Sequence, residues 1–419
     1  MSVQTAFFAR GDRASQLGRS LDLCLPRGHR YPEPPGLALD RNARRERSVA
    51  AMVMTALVTI LVAAPAAARC LATADLSQAG IHPVGFQTVT LVDTSRPTPP
   101  NGSYPGASSR TLLTQIWYPS APGSSGVNAP VDVAGGPYPI IVHGHALFDD
   151  RAGELYLTQH LASHGYVVAA PDFPLSHIGA PGGATVADLA GQPGDVRFVL
   201  AQVPGRLPGA VDGKRVGASG LSLGALTTLL VTYDGELREP SIRAVLPIAP
   251  PYGCALTRRF FRTTHVPLLV LYGDADHMAP PRENSERVFR RARGPRHLVT
   301  IHNGSHIGFV GLADGLDPTQ HYDRLGCAIL LGTLNGDFSL PALPDERRQG
   351  IAYSSAVCPD PCQSEFHDPS LGAARQHELA RIVATAFFDA YLKKDGAARC
   401  FLHTRLALEN ADVAVRTRR

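Results

Sequence analysis

The sequence is poor in several features that mark particular classes of protein. It has one tryptophan and four methionines among 419 residues, and only 18% of its residues are charged. A chain that is 44% hydrophobic with so little charge can bury a substantial core, which excludes disorder over most of its length. The formal net charge is only +4, and no basic face is interleaved with aromatic residues, so nucleic acid is not expected as a partner.

Long apolar runs are scarce as well, and the run that stands out, 49–64, is too short for a spanning helix. A basic segment, 41–47, precedes it, and Pro-Ala-Ala-Ala follows. This succession is typical of a secretory signal peptide. We therefore predict that residues 1–68 are an N-terminal extension with a signal peptide, cleaved after Ala68. The mature chain, 69–419, is expected to be secreted or periplasmic, without a stable membrane span.

Cysteine is also scarce, and its distribution agrees with export. Apart from Cys24 in the predicted leader, the cysteines are Cys70, Cys254, Cys327, Cys358, Cys362 and Cys400. An even number in an oxidising compartment suggests disulfides, whose pairing the sequence leaves open. The spacing of Cys358 and Cys362 also fits half of a zinc site. Since no second half is visible, a disulfide-stapled loop is favoured.

Short apolar, β-branched runs alternate with helical patterns along the mature chain. This alternation predicts an α/β fold with a mostly parallel central sheet and helices on both faces. Residues 311–370 interrupt the pattern with proline, glycine and three of the cysteines, and we interpret them as an insertion. The predicted strands are 88–92 and 111–117, as an antiparallel pair, then 139–143, 165–170, 215–219, 245–249, 267–272 and 297–301. The predicted helices are 156–163, 195–203 and 375–394.

The segment Gly220-Leu-Ser222-Leu-Gly224 lies between a predicted strand and a helical pattern. A serine on such a turn is lifted clear of the sheet, and the next backbone N–H, that of Leu223, helps to form an oxyanion hole. A glycine-rich turn without catalytic function is the alternative. The placement between strand and helix favours Ser222 as a nucleophile.

A serine nucleophile needs a base and a group that orients this base. A predicted strand runs into Gly-Asp-Ala-Asp276, and the spacing after the glycine puts Asp276 beyond the turn, where it can meet a histidine. Its neighbour Asp274 competes for this role but is expected to cap the turn. The next strand ends in a Gly/Ser loop that carries His306, our candidate base. His302, at the strand end, is the nearest competitor.

The loop after strand 139–143 should supply the second oxyanion donor, for which the N–H of His145 is the candidate. His143 and His145, with Asp149 nearby, also suggest a metal site. The dense histidine and carboxylate pattern of binuclear metallohydrolases is absent from the sequence. We therefore expect neither a metal nor another cofactor.

These motifs together resemble the α/β-hydrolases, in particular exported bacterial hydrolases labelled predicted dienelactone hydrolases and the related platelet-activating factor acetylhydrolase family. The resemblance spans about 84–406. It implies the α/β-hydrolase fold, a Ser222, Asp276, His306 triad and the N–H of His145 as an oxyanion donor. True dienelactone hydrolases have a cysteine nucleophile where this chain has Ser222, and 311–370 departs from the family pattern. The matching residues are 91–96 (LVDTSR), Arg110, 116–119 (IWYP), His143-Gly144, 161–172, 220–224 and 387–392.

The sequence thus predicts a secreted serine hydrolase that cleaves carboxylic esters through an acyl-enzyme intermediate. Its expected partner is a small-molecule or lipid-like ester. One alternative is a lipid or polyester acyl hydrolase of the phospholipase A2 or acetylhydrolase type, which needs an apolar groove. Another is a non-catalytic binding module, because a hydrolase fold does not by itself guarantee activity.

Overall fold

The computed structural model describes residues 70–334, 338–343 and 346–419. The predicted extension and signal peptide in 1–68 lie outside the described residues, and the boundary at residue 68 stays a prediction. Within the described ranges, no helix is both long enough and apolar enough to cross a membrane.

A mixed sheet organises the described chain. Across it the strand order is β10-β9-β8-β7-β6-β4-β5-β2-β1-β3. Strands β5, β4, β6, β7, β8 and β9 pair in parallel, whereas β1, β2 and β10 join their neighbours β2, β5 and β9 antiparallel. The strands are β1 (Val84–Asp93), β2 (Arg110–Pro119), β3 (Gly126–Val127), β4 (Tyr138–Gly144), β5 (Val167–Pro171), β6 (Val211–Leu221), β7 (Ile242–Ile248), β8 (Leu268–Gly273), β9 (Arg296–Ile301) and β10 (Val413–Arg418).

Helices cover both faces of this sheet. The α-helices are α1 (Thr73–Ser77), α2 (Leu155–Ser163), α3 (Gln192–Arg206), α4 (Leu223–Tyr233), α5 (Ser285–Arg291), α6 (Asp323–Leu334), α7 (Glu346–Gln349), α8 (Ala373–Tyr391), α9 (Gly396–Cys400) and α10 (Leu406–Glu409). Short 3₁₀ turns lie at Val186–Ala190, Phe260–Arg262, Ile307–Phe309 and Gly311–Gly315, and a π-helical turn at Phe401–Arg405.

The central strands are apolar on both sides because each side faces helices. Every residue of β4 is buried. Its Ile140 belongs to one hydrophobic cluster, with α3, α4 and α5, whereas Ile141 belongs to another, with α2 and α8. Successive side chains of a strand point to opposite faces, so a continuous apolar run is what a doubly covered strand requires. The predicted α/β architecture is confirmed, including the antiparallel pairing of β1 with β2.

The predicted insertion, 311–370, follows β9 and is more ordered than its composition indicates. It contains α6, a helix of 12 residues. Two disulfides involve it: Cys254–Cys358 attaches it to the loop after β7, and Cys327–Cys362 joins α6 to a later segment of the insertion. Cys358 and Cys362 are therefore both oxidised, each with a different partner. A third disulfide, Cys70–Cys400, ties the first described residue to α9.

Candidate active site

Ser222 is the single residue between β6 and α4, near the centre of the sheet. Its φ of 53° lies in the left-handed region that residues other than glycine rarely adopt, and such strain tends to be retained at functional sites. The N–H of Ser222 donates to the carbonyl of Ile248 at the end of β7, at 2.9 Å, which anchors the turn. This is the sharp strand-to-helix turn that the motif predicts.

The two glycines of the motif allow backbones to approach closely around the turn. A Cβ on Gly220 would lie 2.5 Å from the carbonyl oxygen of Gly224. A Cβ on Gly224 would lie 2.1 Å from the carbonyl oxygen of Gly144, where β4 ends. The start of α4 therefore packs directly on the loop that carries His145, which places the two predicted oxyanion segments side by side.

Asp276 and His306 follow neighbouring parallel strands, β8 and β9, and form a buried pair. The Nδ1–H of His306 donates to Oδ2 of Asp276 at 2.8 Å. The residues are 2% and 4% exposed. The other oxygen of Asp276 accepts the backbone N–H groups of Met278 and Ala279 at 2.9 and 2.7 Å, which fixes the carboxylate.

Opposing effects act on the pKa of His306. Burial lowers this pKa, but the negative charge of Asp276, its hydrogen bond and the further carboxylate of Asp323 outweigh burial. The pKa of His306 is consequently raised above its ordinary value. An imidazole held in this way is a stronger base than a free histidine, once the pH is high enough for it to be neutral.

The competing residues Asp274 and His302 form a pair of their own. His302 Nδ1 lies 2.8 Å from Asp274 Oδ2, and the other oxygen of Asp274 accepts the N–H of Asn303. The side chain of His302 is 51% exposed and that of Asp274 is 42% exposed, and neither residue lines the cavity that contains Ser222. The geometry therefore favours Asp276 and His306 for chemistry with Ser222, and gives Asp274 a role in the turn.

The candidate oxyanion residues lie beside the serine. Leu223 is the first residue of α4, so its N–H has no partner within the helix. His145 directly follows β4, and its buried ring braces this loop: Nδ1–H donates to the carbonyl of Ala146, and Nε2 accepts the N–H of Phe173. The roles of both backbone N–H groups stay predictions.

The side chains of His143 and His145 give little support to the alternative of a metal site, because three of their four ring nitrogens contact other groups. Both ring nitrogens of His145 are engaged by backbone groups, and Nε2 of His143 lies 3.0 Å from Glu154 Oε2. Among the described residues, no group of three or more histidine, cysteine, aspartate and glutamate side chains is placed to hold an ion.

Ser222 and His306 open on one cavity of about 1140 Å³, including the space open to solvent. Its polar side chains are few, and Asp149 and Asn284 are among them. The insertion builds much of the wall. Its contributions are Leu312, Gly326, Ile329, Leu330, Leu334, Phe338, Tyr353, Cys358, Pro359 and Pro361. The insertion therefore forms part of the wall of the cavity that contains Ser222 and His306.

Two acidic features of the site were not recognised from the sequence, which drew attention to Asp149 only as a neighbour of a possible metal site. Asp323 of α6 accepts the backbone N–H groups of His277 and Ile307, which follow the candidate acid and base. After the loop of His145, the partly buried Asp149 and the buried Glu154 form a carboxyl pair in which burial raises the pKa of each to about 8. No local pattern in the sequence marks either feature.

Comparisons with known proteins agree with the observed fold. A family model described as PETase, PET hydrolase-like, matches residues 109–314, which include Ser222, Asp276 and His306. A stretch of 97 residues is 28% identical to Lipase 1 of Moraxella sp. (strain TA144); the match covers 23% of this chain and 28% of that lipase. The chain thus spans less than a third of that relative. A ferulic acid esterase from Streptomyces cinnamoneus superposes with a TM-score of 0.51 at 22% identity, over 75% of this chain and 91% of that one.

The sheet order, the strained serine turn and these matches define the class: the chain is a member of the α/β-hydrolase superfamily. Within that superfamily, the proteins it matches are esterase- and lipase-like hydrolases. The prediction of an α/β-hydrolase is confirmed.

Proposed function

We propose that this protein is a serine hydrolase of carboxylic esters, with Ser222 as nucleophile, His306 as base and Asp276 as the group that orients His306. The observation that carries the proposal is that Ser222 and His306 line the same cavity. The buried His306–Asp276 pair, joined at 2.8 Å, opens on the same cavity as a serine held at a φ of 53°. Asp276 in turn holds His306 through the hydrogen bond to its ring.

In the acylation step, Oγ of Ser222 attacks the ester carbonyl carbon while Nε2 of His306 takes the hydroxyl proton. Asp276 accepts the Nδ1–H, which fixes the tautomer and stabilises the imidazolium that forms. The negative charge on the carbonyl oxygen is received by the N–H groups of Leu223 and His145. When the carbon–oxygen bond breaks, His306 gives its proton to the departing alcohol and an acyl-serine remains.

Deacylation repeats this sequence with water. His306 removes a proton from the water, the resulting hydroxide attacks the acyl carbon, and the proton returns to Oγ of Ser222 as the acid leaves. The chain's own residues account for every proton in both steps.

The wall of the cavity supports a bulky, apolar ester as substrate. Leu330 and Leu334 of α6, with Phe338, supply apolar surface that a small acetyl ester would leave uncovered. Burial of apolar surface contributes about 0.8 kcal/mol per methylene. A long acyl ester should therefore bind better than acetate. A polyester is the second candidate, supported by the PET hydrolase-like description of the matched family.

We also propose that the chain is exported. Its three disulfides support this, because disulfides form and persist mainly in oxidising compartments. The predicted signal peptide gives the route. Fractionation of expressing cells, with retention of the protein in the cytoplasm as the contrary result, tests the proposal.

The activity is tested with the full chain, produced in an oxidising compartment so that its disulfides form. We expect hydrolysis of p-nitrophenyl esters, increasing from acetate toward longer acyl chains. Ser222→Ala should lose activity on the order of a millionfold, as for a triad serine in a well-studied protease. Ser103→Ala, the same change in an exposed loop, is the control and should match wild type.

Labelling with a fluorophosphonate provides a second measurement. Wild type and Ser103→Ala should be labelled, and Ser222→Ala should not. A folded wild-type protein that neither turns over esters nor takes the label would favour the binding module. Equal activity in Ser222→Ala and wild type would mean that the nucleophile is another residue.

A further inference from the structure

Asp323 is a fully buried carboxylate that belongs to the insertion and faces the candidate triad. It is the first residue of α6 and is 0% exposed. Its Oδ2 accepts the N–H of His277 at 2.9 Å, and its Oδ1 accepts the N–H of Ile307 at 2.8 Å. His277 directly follows Asp276, and Ile307 directly follows His306. One carboxylate thus clamps the two loops that carry the acid and the base.

Other residues of the insertion also contact His277, the residue after Asp276. The carbonyl of His277 accepts the N–H of Cys362 at 2.7 Å, and the ring of His277 lies 2.6 Å from the hydroxyl of Ser364. Cys362 is in turn joined by a disulfide to Cys327 of α6. Both backbone polar groups of the residue after Asp276 are therefore engaged by the insertion.

We propose that Asp323 is a positioning residue of the hydrolase. It fixes the separation of the Asp276 and His306 loops and adds negative charge beside His306, so the insertion takes part in setting the geometry of the triad. This inference rests on the proposed function, since it assigns a role within that reaction. Asp323 does not itself line the cavity, and it acts through the residues that follow Asp276 and His306.

Electrostatics supports the same assignment. Burial raises the pKa of Asp323 to about 6, assisted by the charge of Asp276 and opposed by His306. In return, Asp323 contributes to the raised pKa of His306. The titratable groups around this carboxylate are Asp276 and His277 on the acid loop, His306 on the base loop, and His321, whose ring accepts the N–H of Asp323.

The test is Asp323→Asn, with Asp317→Asn as a matched control in an exposed turn of the same insertion. Asparagine removes the charge and keeps only one acceptor oxygen for two N–H groups. We expect the acid limb of the pH profile of kcat/KM to move to lower pH, because His306 loses a stabilising charge. The plateau should fall about tenfold to a hundredfold, the size expected of a small misplacement of catalytic groups. Asp317→Asn should behave like wild type.

The titration of His306 provides a readout that does not depend on ester turnover. It is followed by NMR of histidine-labelled protein, with the resonance assigned through His306→Gln. A lower midpoint in Asp323→Asn than in wild type supports the proposal. An unchanged midpoint with an unchanged pH profile overturns it, as does a fall in activity without any shift of the profile, which a purely structural role would give.

Two further outcomes are distinguishable. If wild type hydrolyses no ester, the proposed function fails, and the NMR midpoint still decides whether Asp323 acts on His306. If Asp323→Asn does not fold, Asp323→Glu replaces it, since glutamate keeps the charge in a longer side chain. A midpoint near wild type with reduced kcat supports positioning, whereas wild-type kcat in Asp323→Glu contradicts it.

Discussion

Replacing Gly224 with alanine has two opposing effects on the stability of the fold. Gly224 lies in α4, where alanine should by itself stabilise the helix by about 0.5–1 kcal/mol. The added Cβ would, however, lie 2.1 Å from the carbonyl oxygen of Gly144 and 2.7 Å from that of His145. Both obstacles are backbone atoms, which cannot rotate out of the way as a side chain can.

The magnitude follows from the displacement that this contact requires. Side-chain Cβ atoms essentially never approach other atoms within 3.0 Å, so α4 and the loop after β4 must separate by about 1 Å. Overpacking of this kind costs about 1–3 kcal/mol, which exceeds the gain in helix propensity. The separation also moves the proposed donors of Leu223 and His145 apart, and such a misplacement costs about a hundredfold in kcat.

The assay combines denaturant unfolding with ester turnover for Gly224→Ala and for Gly205→Ala. Gly205 lies in α3 with open space around the position of a Cβ, so the same substitution there should leave stability unchanged or raise it by up to about 1 kcal/mol. The reasoning is refuted if Gly224→Ala is as stable as Gly205→Ala and keeps a kcat within about twofold of wild type.

Two further changes test other parts of the site. Burial raises the pKa of Asp149 and Glu154 to about 8. Between about pH 4 and pH 8, these two groups therefore keep protons in the folded chain that they lose in the unfolded chain. The free energy of unfolding should consequently fall as the pH rises through this range. Denaturation across this range should show a shallower fall in Glu154→Gln, with exposed Glu365→Gln keeping the wild-type slope; an unchanged slope in Glu154→Gln contradicts the assignment. In the cavity wall, Leu330→Trp should reduce kcat/KM for palmitate roughly two hundredfold relative to acetate, since about four methylenes, at about 0.8 kcal/mol each, lose their burial. Leu331→Trp, on an exposed neighbour that does not line the cavity, should keep the wild-type ratio, and equal profiles for the two variants would place the acyl chain elsewhere.

The elements that the sequence predicts well are those specified by local patterns. A doubly covered strand such as β4 needs a continuous apolar run, and the turn at Ser222 needs small residues where backbones nearly touch. Both requirements leave a signal within a few residues. The order of Ser222, Asp276 and His306 along the chain adds a constraint from the fold itself. The three residues could therefore be proposed as one site from the sequence, and their roles stay predictions.

The features that escaped prediction depend on contacts between distant segments. β10 is a short alternating stretch, and it becomes a strand by pairing with the edge of β9. Asp323 looks like an ordinary acidic residue in a segment rich in glycine and proline, and its burial follows from where α6 docks. The disulfide Cys254–Cys358 joins residues 104 positions apart, which no spacing rule foretells. Tertiary packing determines each of these.

The position of the insertion limits how the substrate preference of this chain can be engineered. Exchange of whole cap segments between related enzymes is an attractive way to transfer specificity. In this chain, the segment that shapes the wall also supplies the acceptor for the N–H groups of His277 and Ile307. A chimera that replaced it would discard Asp323 together with the Cys327–Cys362 crosslink, and with them the contacts that hold the segments after Asp276 and His306. If the proposed function holds, we expect point substitutions along the cavity wall to change substrate preference with less loss of activity than exchange of the whole segment.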